Sequence, residues 1–477
     1  MTAQTPRTLL LNFYPSKLTP WLVRWVQMIF PAIAHWFYQL TVIPPQNSQA
    51  LWETCRSQRV LLLANHPTFQ DPIVLFLLSA HLRDRFHYLA DLTQLRSRLG
   101  AFFQRMGTYS IRRGYPDRES VIHTLHLLAQ PKCRLVIFPE GGCSFQNDTV
   151  MPFRDGAMRM ALQALARLSA QQASSPDFSS PDFYVVPVSL KYRYTGNLIP
   201  VIATLLERLE QRLGLLPPSE SEKGTPFHSP ALAAPGLDAA PFTGPEQWLP
   251  DQGDTYQRLR RVGEAILQRF EADYGALGLT LPQEGKTLDD RISHLKAQLL
   301  QALETHLGTT APADRPDRER VYHLQYLLEK QMTDQEESLD SLESLSPAVA
   351  PGTPPPSSPE MSPLASSPSP GTLPTGWTIE RIQQALFRIL NFDAICDGYV
   401  AENPTPERYL DTLTRFEREV FNIDQPSPKG HRQAWVALGE PLNLKDYLPA
   451  FQADRAKTVQ DLTTHLHQVI QQNLDSL

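Results

Sequence analysis

From Arg59 to Leu213 short apolar runs alternate with stretches of helical period, and this alternation constrains the fold more than any other feature of the chain. The runs VLLLAN (Val60–Asn65), FHYLA (Phe86–Ala90), TYSIR (Thr108–Arg112), RLVIFP (Arg134–Pro139) and YVVPVSLKY (Tyr184–Tyr192) read as strands. Helical patterns lie between and after them, at Pro72–Arg83, Leu92–Met106, Asp117–Ala129, Asp155–Leu168 and Leu198–Leu213. In the last, Ile202, Leu205, Leu206, Leu209 and Leu213 repeat at helical spacing. Continuous apolar strands separated by helices predict an α/β fold, with a mostly parallel central sheet flanked by helices and buried on both faces. Pro187 interrupts the last run, which suits an edge strand or a bulge.

The flanking segments differ. Leu18 to Ile43 is the most apolar long stretch and carries Trp21, Trp25 and Trp36. It reads as an N-terminal membrane-associating helical segment (1–46) lying in the membrane–water interface, where aromatic residues beside an apolar body are at home. A buried helix over the core is the alternative; Arg24 and Pro31 count against a clean span. After the core (47–216), residues 217–431 read as a helical insertion with Pro-rich linkers at 217–250 and 346–376, compositions that bury little apolar area. Such an insertion suggests protein partners. QAWVALGEPLNL (Gln433–Leu444) and the helical pattern Arg455–Asn473 read as a strand and helix (432–477) that return to complete the core.

Composition narrows the function. The 477 residues carry a net charge of −6, which gives no general affinity for nucleic acid, so any anion site is local. Forty-three prolines are about twice the usual share and gather in the linkers. The four cysteines, Cys55, Cys133, Cys143 and Cys396, have neither disulfide nor zinc spacing, and the N-terminus lacks the pattern of a secretory signal.

Chemistry concentrates at strand ends. In LLLANHPTFQDP an apolar run stops at Asn65, His66 and Pro67 follow, and Asp71-Pro72 opens a helix. An imidazole with an ordinary pKa of about 6.5 takes protons near neutrality, and a carboxylate on its second nitrogen fixes the tautomer. Asp71 is equally suited to be a plain N-cap before Pro72. GTYSIRRG ends a strand with Arg112 and Arg113, whose forked guanidinium groups suit phosphate, or a solvated turn. LVIFPEGGCS runs a strand into Glu140, Gly141, Gly142 and Ser144, where backbone amides can approach an anion.

The order of these blocks resembles the glycerophospholipid acyltransferase family, whose best-known members acylate lysophosphatidic acid. Asn65, His66 and Asp71 match its Asn-His-x4-Asp block, and Gly107 with Arg113 its second block. Phe138 to Ser144 match Phe-Pro-Glu-Gly-Thr-Arg-Ser, and Val186-Pro187-Val188 the fourth block. PFRDGAMRMA has Arg154 at the lysine of a Phe-Lys-x-Gly-Ala helix start, and Gly439-Glu440-Pro441-Leu442 match the family's closing strand end. The resemblance implies His66 as base, Asp71 as its partner, and Arg113 with Glu140, Gly141, Gly142 and Ser144 holding the acceptor. Arg112 and Arg154 would assist. The donor would be acyl-CoA or acyl-ACP and the acceptor a membrane lipid, with no metal or cofactor, at the cytoplasmic face of a membrane. Cys143 departs from the pattern, standing where the family has arginine. The charge is then expected from Arg112, Arg154, Lys191 or Arg193, or the acceptor is another lipid alcohol. A scaffold with a degenerate core is the reading from a different class. A hydrolase is disfavoured because no Gly-x-Ser-x-Gly elbow is present.

Overall fold

The computed structural model describes residues 13–46, 48–115, 117–172, 180–216, 252–281, 286–312, 315–344, 377–392 and 398–477. The spans 217–250 and 346–376, read above as linkers, lie outside the described residues, as do residues 1–12 and Cys396.

One compact unit comprises Phe13–Arg112, Asp117–Gln268 and Ala394–Leu477. Its centre is an eight-stranded sheet: β1 (Leu40–Ile43), β2 (Arg59–Ala64), β3 (His87–Asp91), β4 (Thr108–Ile111), β5 (Arg134–Ile137), β6 (Phe183–Tyr194), β7 (Arg432–Leu438) and β8 (Leu442–Asn443). The order is β1-β7-β6-β2-β5-β3-β4, with β8 paired to β6. Strands β2 to β6 are mutually parallel, while β7 and β8 run antiparallel to β6 and β1 runs parallel to β7.

The expected burial of both faces is borne out along β2. Val60, Leu62 and Ala64 face one layer with Val74, Leu75 and Leu78 of the helix Asp71–His81 and Trp52 of the helix Ser48–Cys55. Leu61 and Leu63 face the other, with Leu128, Leu162 and Leu165 of the helices Arg118–Ala129 and Gly156–Gln172 and Leu466 and Ile470 of Arg455–Ser476. With side chains alternating across a strand, this sequence has no polar face to offer water.

Two details depart from the sequence reading. The stretch Leu18–Ile43 divides into a helix, Pro20–Phe37, and the edge strand β1, separated by Gln39 at φ 49°. Only pairing with residues 432–435 makes β1 a strand, and no local signal announces so distant a partner. Pro187 lies not at an edge but in β6, between β2 and β7. Its carbonyl accepts a hydrogen bond from the Gly439 N–H at 2.9 Å. A strand residue's N–H and C=O point the same way, so the missing donor faces the gap where β7 gives way to β8.

The helix Pro20–Phe37 presents two different faces. Val23, Val26, Gln27 and Ala34 are buried, and Phe30 meets Phe76 edge-on at 5.5 Å. Trp21, Trp36 and Phe37 are each more than 70% exposed. Among the described residues no helix is long and apolar enough to cross a membrane.

A second unit consists of helices: Leu288–His306, Asp317–Ser344, Ile379–Phe392 and the end of Gln252–Gly275, together with residues 113–115. Leu295, Leu299, Leu303, Val321, Leu324, Leu386 and Ile389 form its buried surfaces, and the Arg291 fork pairs with Glu271 at 2.6 and 2.8 Å. The unit is narrower than the 217–431 span read from composition. The helix Pro406–Phe421 belongs to the sheet unit, with its Tyr409, Leu413 and Phe416 buried.

Where β2 ends, a side chain continues the ladder. Asn65 Nδ2 donates to the Leu190 carbonyl at 3.0 Å and Asn65 Oδ1 accepts the Leu190 N–H at 2.7 Å, all fully buried. Asn65→Ala would orphan both backbone groups of Leu190. The expected loss is about 1–3 kcal/mol for each unsatisfied group, read by urea denaturation.

Candidate active site

The turn after β2 holds the predicted base and its partner. Asp71 is the first residue of its helix, with Gln70 at the cap, so it is not the N-cap. Its carboxylate turns back instead: His66 Nδ1 lies 2.6 Å from Asp71 Oδ2. The same oxygen accepts the Thr68 N–H at 2.9 Å, and Oδ1 accepts the Thr68 hydroxyl at 3.0 Å and the Tyr192 hydroxyl at 2.5 Å. Asp71 is fully buried, and a buried carboxylate needs this density of donors. Burial, then the Asp71 charge, keeps the Tyr192 phenol protonated and hence a donor. With Nδ1–H given to Asp71, Nε2 is the ring nitrogen that can accept a proton.

The imidazole is fixed from other sides too. The Phe138 ring stacks on it, centroids 4.3 Å apart. Cys143 Sγ lies 3.5 Å from Nε2 and 3.8 Å from Nδ1. Near-equal distances to both nitrogens put the sulfur off the in-plane axis of the Nε2 lone pair, so it borders that direction without occupying it. Burial disfavours the imidazolium, but the neighbouring Cys143 and the Asp71 hydrogen bond outweigh it and raise the pKa of His66 to about 10, so Nε2 acts as a base only once the ring has lost that proton and a rate that depends on it rises with pH.

The third block braces this turn through the backbone. Glu140, buried, accepts the His66 N–H on Oε1 at 2.8 Å. Ser144 donates its N–H to the His66 carbonyl at 2.8 Å, and its hydroxyl is buried against backbone. Gly141 has φ +76°, and a methyl group there would come within 2.6 Å of Arg154 Cζ, so glycine lets the Arg154 guanidinium lie against the loop. Gly142 is buried in the same turn.

The other predicted binding residues are dispersed. Arg112 Nε lies 3.6 Å from Asp117 Oδ2. Arg113 falls in the helical unit, over the Tyr322 ring at 5.1 Å and donating to its hydroxyl at 3.0 Å. Lys191 donates to the Leu474 carbonyl at 3.0 Å, and Arg193 lies over Trp435 at 5.2 Å.

Sequence reasoning missed Thr68, Tyr192 and Asn147. Asn147 clasps Tyr192 as Asn65 clasps Leu190, with both amide contacts at 2.7 Å. Asn65 directly follows β2, whereas Asn147 lies ten residues beyond the end of β5 and carried no such signal. Arg415, on the helix Pro406–Phe421, was missed as well; it donates to the Ser144 and Phe145 carbonyls and had no signal near the motif. Among the described residues no group of His, Cys, Asp and Glu is arranged to hold a metal ion.

Because Cys143 and Asp71 both favour the cation, Cys143→Ala is expected to lower the His66 pKa. An NMR titration of the imidazole ring protons reads this directly, and an unchanged value would leave Asp71 as the sole cause.

Residues 39–191 match the model of the family described as Acyltransferase. The match runs from the start of β1 into β6 and contains both His66–Asp71 and the Phe138–Ser144 loop. No curated protein matches the chain. The fold, the His–Asp turn and the match to the Acyltransferase model coincide on one segment, residues 39–191.

Proposed function

We propose that this protein transfers a fatty acyl group from an acyl thioester, of coenzyme A or acyl carrier protein, to the hydroxyl of a lysophospholipid- or glycerol-phosphate-type acceptor. The observation that carries the reading is the 2.6 Å contact between His66 Nδ1 and the buried Asp71 carboxylate. It orients the ring so that Nε2 serves as the base.

The acceptor hydroxyl gives its proton to His66 Nε2 as its oxygen attacks the thioester carbonyl. Asp71 stabilises the imidazolium without taking the proton. As the tetrahedral centre collapses, the carbon–sulfur bond breaks and the imidazolium returns the proton to the leaving thiolate. Positioned acid–base help of this kind contributes about 10²–10⁴ in rate. Phe138 and the Glu140 and Ser144 contacts hold the ring and its backbone still, which keeps the reacting atoms in line.

The exposed Trp21, Trp25, Trp36 and Phe37 support docking of the helix Pro20–Phe37 on a bilayer surface, where an amphiphilic acceptor resides. An aromatic face this exposed beside an anchored apolar face favours the interface over a span.

Purified protein with labelled acyl thioesters and a panel of lysolipids tests the chemistry. His66→Ala is expected to lower kcat by about 10²-fold or more, and Asp71→Asn to lower it strongly as well. Undiminished transfer by His66→Ala would end the proposal. The double change Trp21→Ser, Trp36→Ser is expected to reduce co-sedimentation with phosphatidylglycerol vesicles severalfold; equal sedimentation would remove the docking helix from the account.

A further inference from the structure

The loop after β5 is fastened at successive points to the helix Pro406–Phe421, which lies outside the matched segment. Arg408 Nε donates to Asp148 Oδ2 at 2.9 Å, Asp411 Oδ2 accepts the Asn147 N–H at 2.9 Å, and Arg415 donates to the Phe145 and Ser144 carbonyls. Positions three and four apart share one face of a helix, so 408, 411 and 415 line up. Helix residues ascend as their loop partners descend, and the two segments are matched along their length. One turn further, Arg418 packs against the rings of Phe145 and Phe69, 4.6 and 5.6 Å from their centres. Phe145 stands at φ 49°, a left-handed conformation that a bulky residue holds only where its surroundings enforce it.

Among these contacts, that of Asp411 leads furthest into the site. Its carboxylate fixes the backbone of Asn147, and the Asn147 amide holds the Tyr192 N–H and carbonyl, each at 2.7 Å. The Tyr192 hydroxyl reaches Asp71 Oδ1 at 2.5 Å, and Asp71 Oδ2 meets His66 Nδ1 at 2.6 Å. Successive contacts of 2.9 Å or less therefore join residue 411 to the imidazole. Asp411 Oδ2 is itself placed from a second side, by the Tyr399 hydroxyl at 3.0 Å. Aspartate is a weak former of helix interiors, so its presence at this position serves the loop rather than the helix.

We propose that Asp411 is a positioning residue for the His66 site: it holds Asn147, and through Asn147 the backbone of Tyr192, so that the phenol stays on Asp71 and the imidazole keeps its orientation. A helix outside the matched segment thereby acts on chemistry carried within it. The inference rests on the proposed acyl transfer for its kinetic readout; its spectroscopic readout needs no substrate.

The test compares full-length wild type with Asp411→Ala, Asp411→Asn, Tyr192→Phe and the double variant Asp411→Ala, Tyr192→Phe. Asp411→Ala is expected to lower kcat by about 10- to 100-fold with KM little changed. Asp411→Asn, whose side-chain oxygen can still accept the Asn147 N–H, is expected to restore most of that loss. Acting through one path, the two changes are not independent, and the double variant is expected to lose no more than the worse of its parents. In NMR spectra the His66 Nδ1 proton resonance is expected to move in the same direction in Asp411→Ala as in Tyr192→Phe, and to return in Asp411→Asn. Asp411→Ser, too short to reach the Asn147 N–H, takes the place of Asp411→Ala if that variant does not fold. Multiplicative losses in the double variant, or a His66 resonance unmoved by truncating Asp411, overturn the inference. If transfer depends on His66 while Asp411→Ala matches wild type, only this inference fails. If wild type transfers no acyl group, the proposed function fails and the His66 resonance still decides the role of Asp411.

Discussion

A fully buried carboxylate organises the site and much of what surrounds it. Asp71 lies beyond the carboxyl end of β2, where water cannot solvate its charge. A buried anion is tolerable only when its oxygens are met by donors. Those donors come from three directions: the His66 ring, the Thr68 backbone and hydroxyl, and the Tyr192 phenol from β6. The last fixes the register of two strands to the chemistry. Tyr192 reaches Asp71 because β6 continues past the end of β2, which stops opposite Val188. The extra length of β6 would leave unpaired backbone groups on its β2 side, and the amides of Asn65 and Asn147 satisfy them at Leu190 and Tyr192. Two side-chain amides thus stand where a longer strand would have filled the space needed by the site.

The loop after β5 is held to the same turn by different means. Glu140 and Ser144 bond to the backbone of His66, so the order Phe-Pro-Glu-Gly acts here on the position of the imidazole. From the far side Arg415 clamps the carbonyls that follow Cys143, and Arg418 packs on rings from both loops. The site is therefore assembled from β2, β5, β6 and a helix more than 250 residues further along the chain.

The alternation of apolar runs was enough to identify the strands from β2 to β6 and their parallel packing, because burial on both faces leaves nothing but hydrophobic sequence along each strand. The His66–Asp71 relation was legible for a local reason: five residues of turn bring the two side chains together whatever the rest of the chain does. The arginines were not legible. Arg112 and Arg113 are adjacent in sequence, yet one pairs with Asp117 in the sheet unit and the other packs on Tyr322 in the helical unit. Charge and fork geometry make an arginine able to bind phosphate; which anion or ring it meets depends on distant segments.

The sequence by itself determined the layer architecture, the pairing of His66 with Asp71, and the glycine-bearing loop, since each follows from periodicity or from contacts within a few residues. Tertiary structure alone decided that Pro187 occupies an interior strand, that β1 exists, and that Tyr192, Asn147 and Arg415 complete the site. Each of these depends on contacts across tens or hundreds of residues, and a hydrogen bond between such partners leaves no mark on the local pattern of either one.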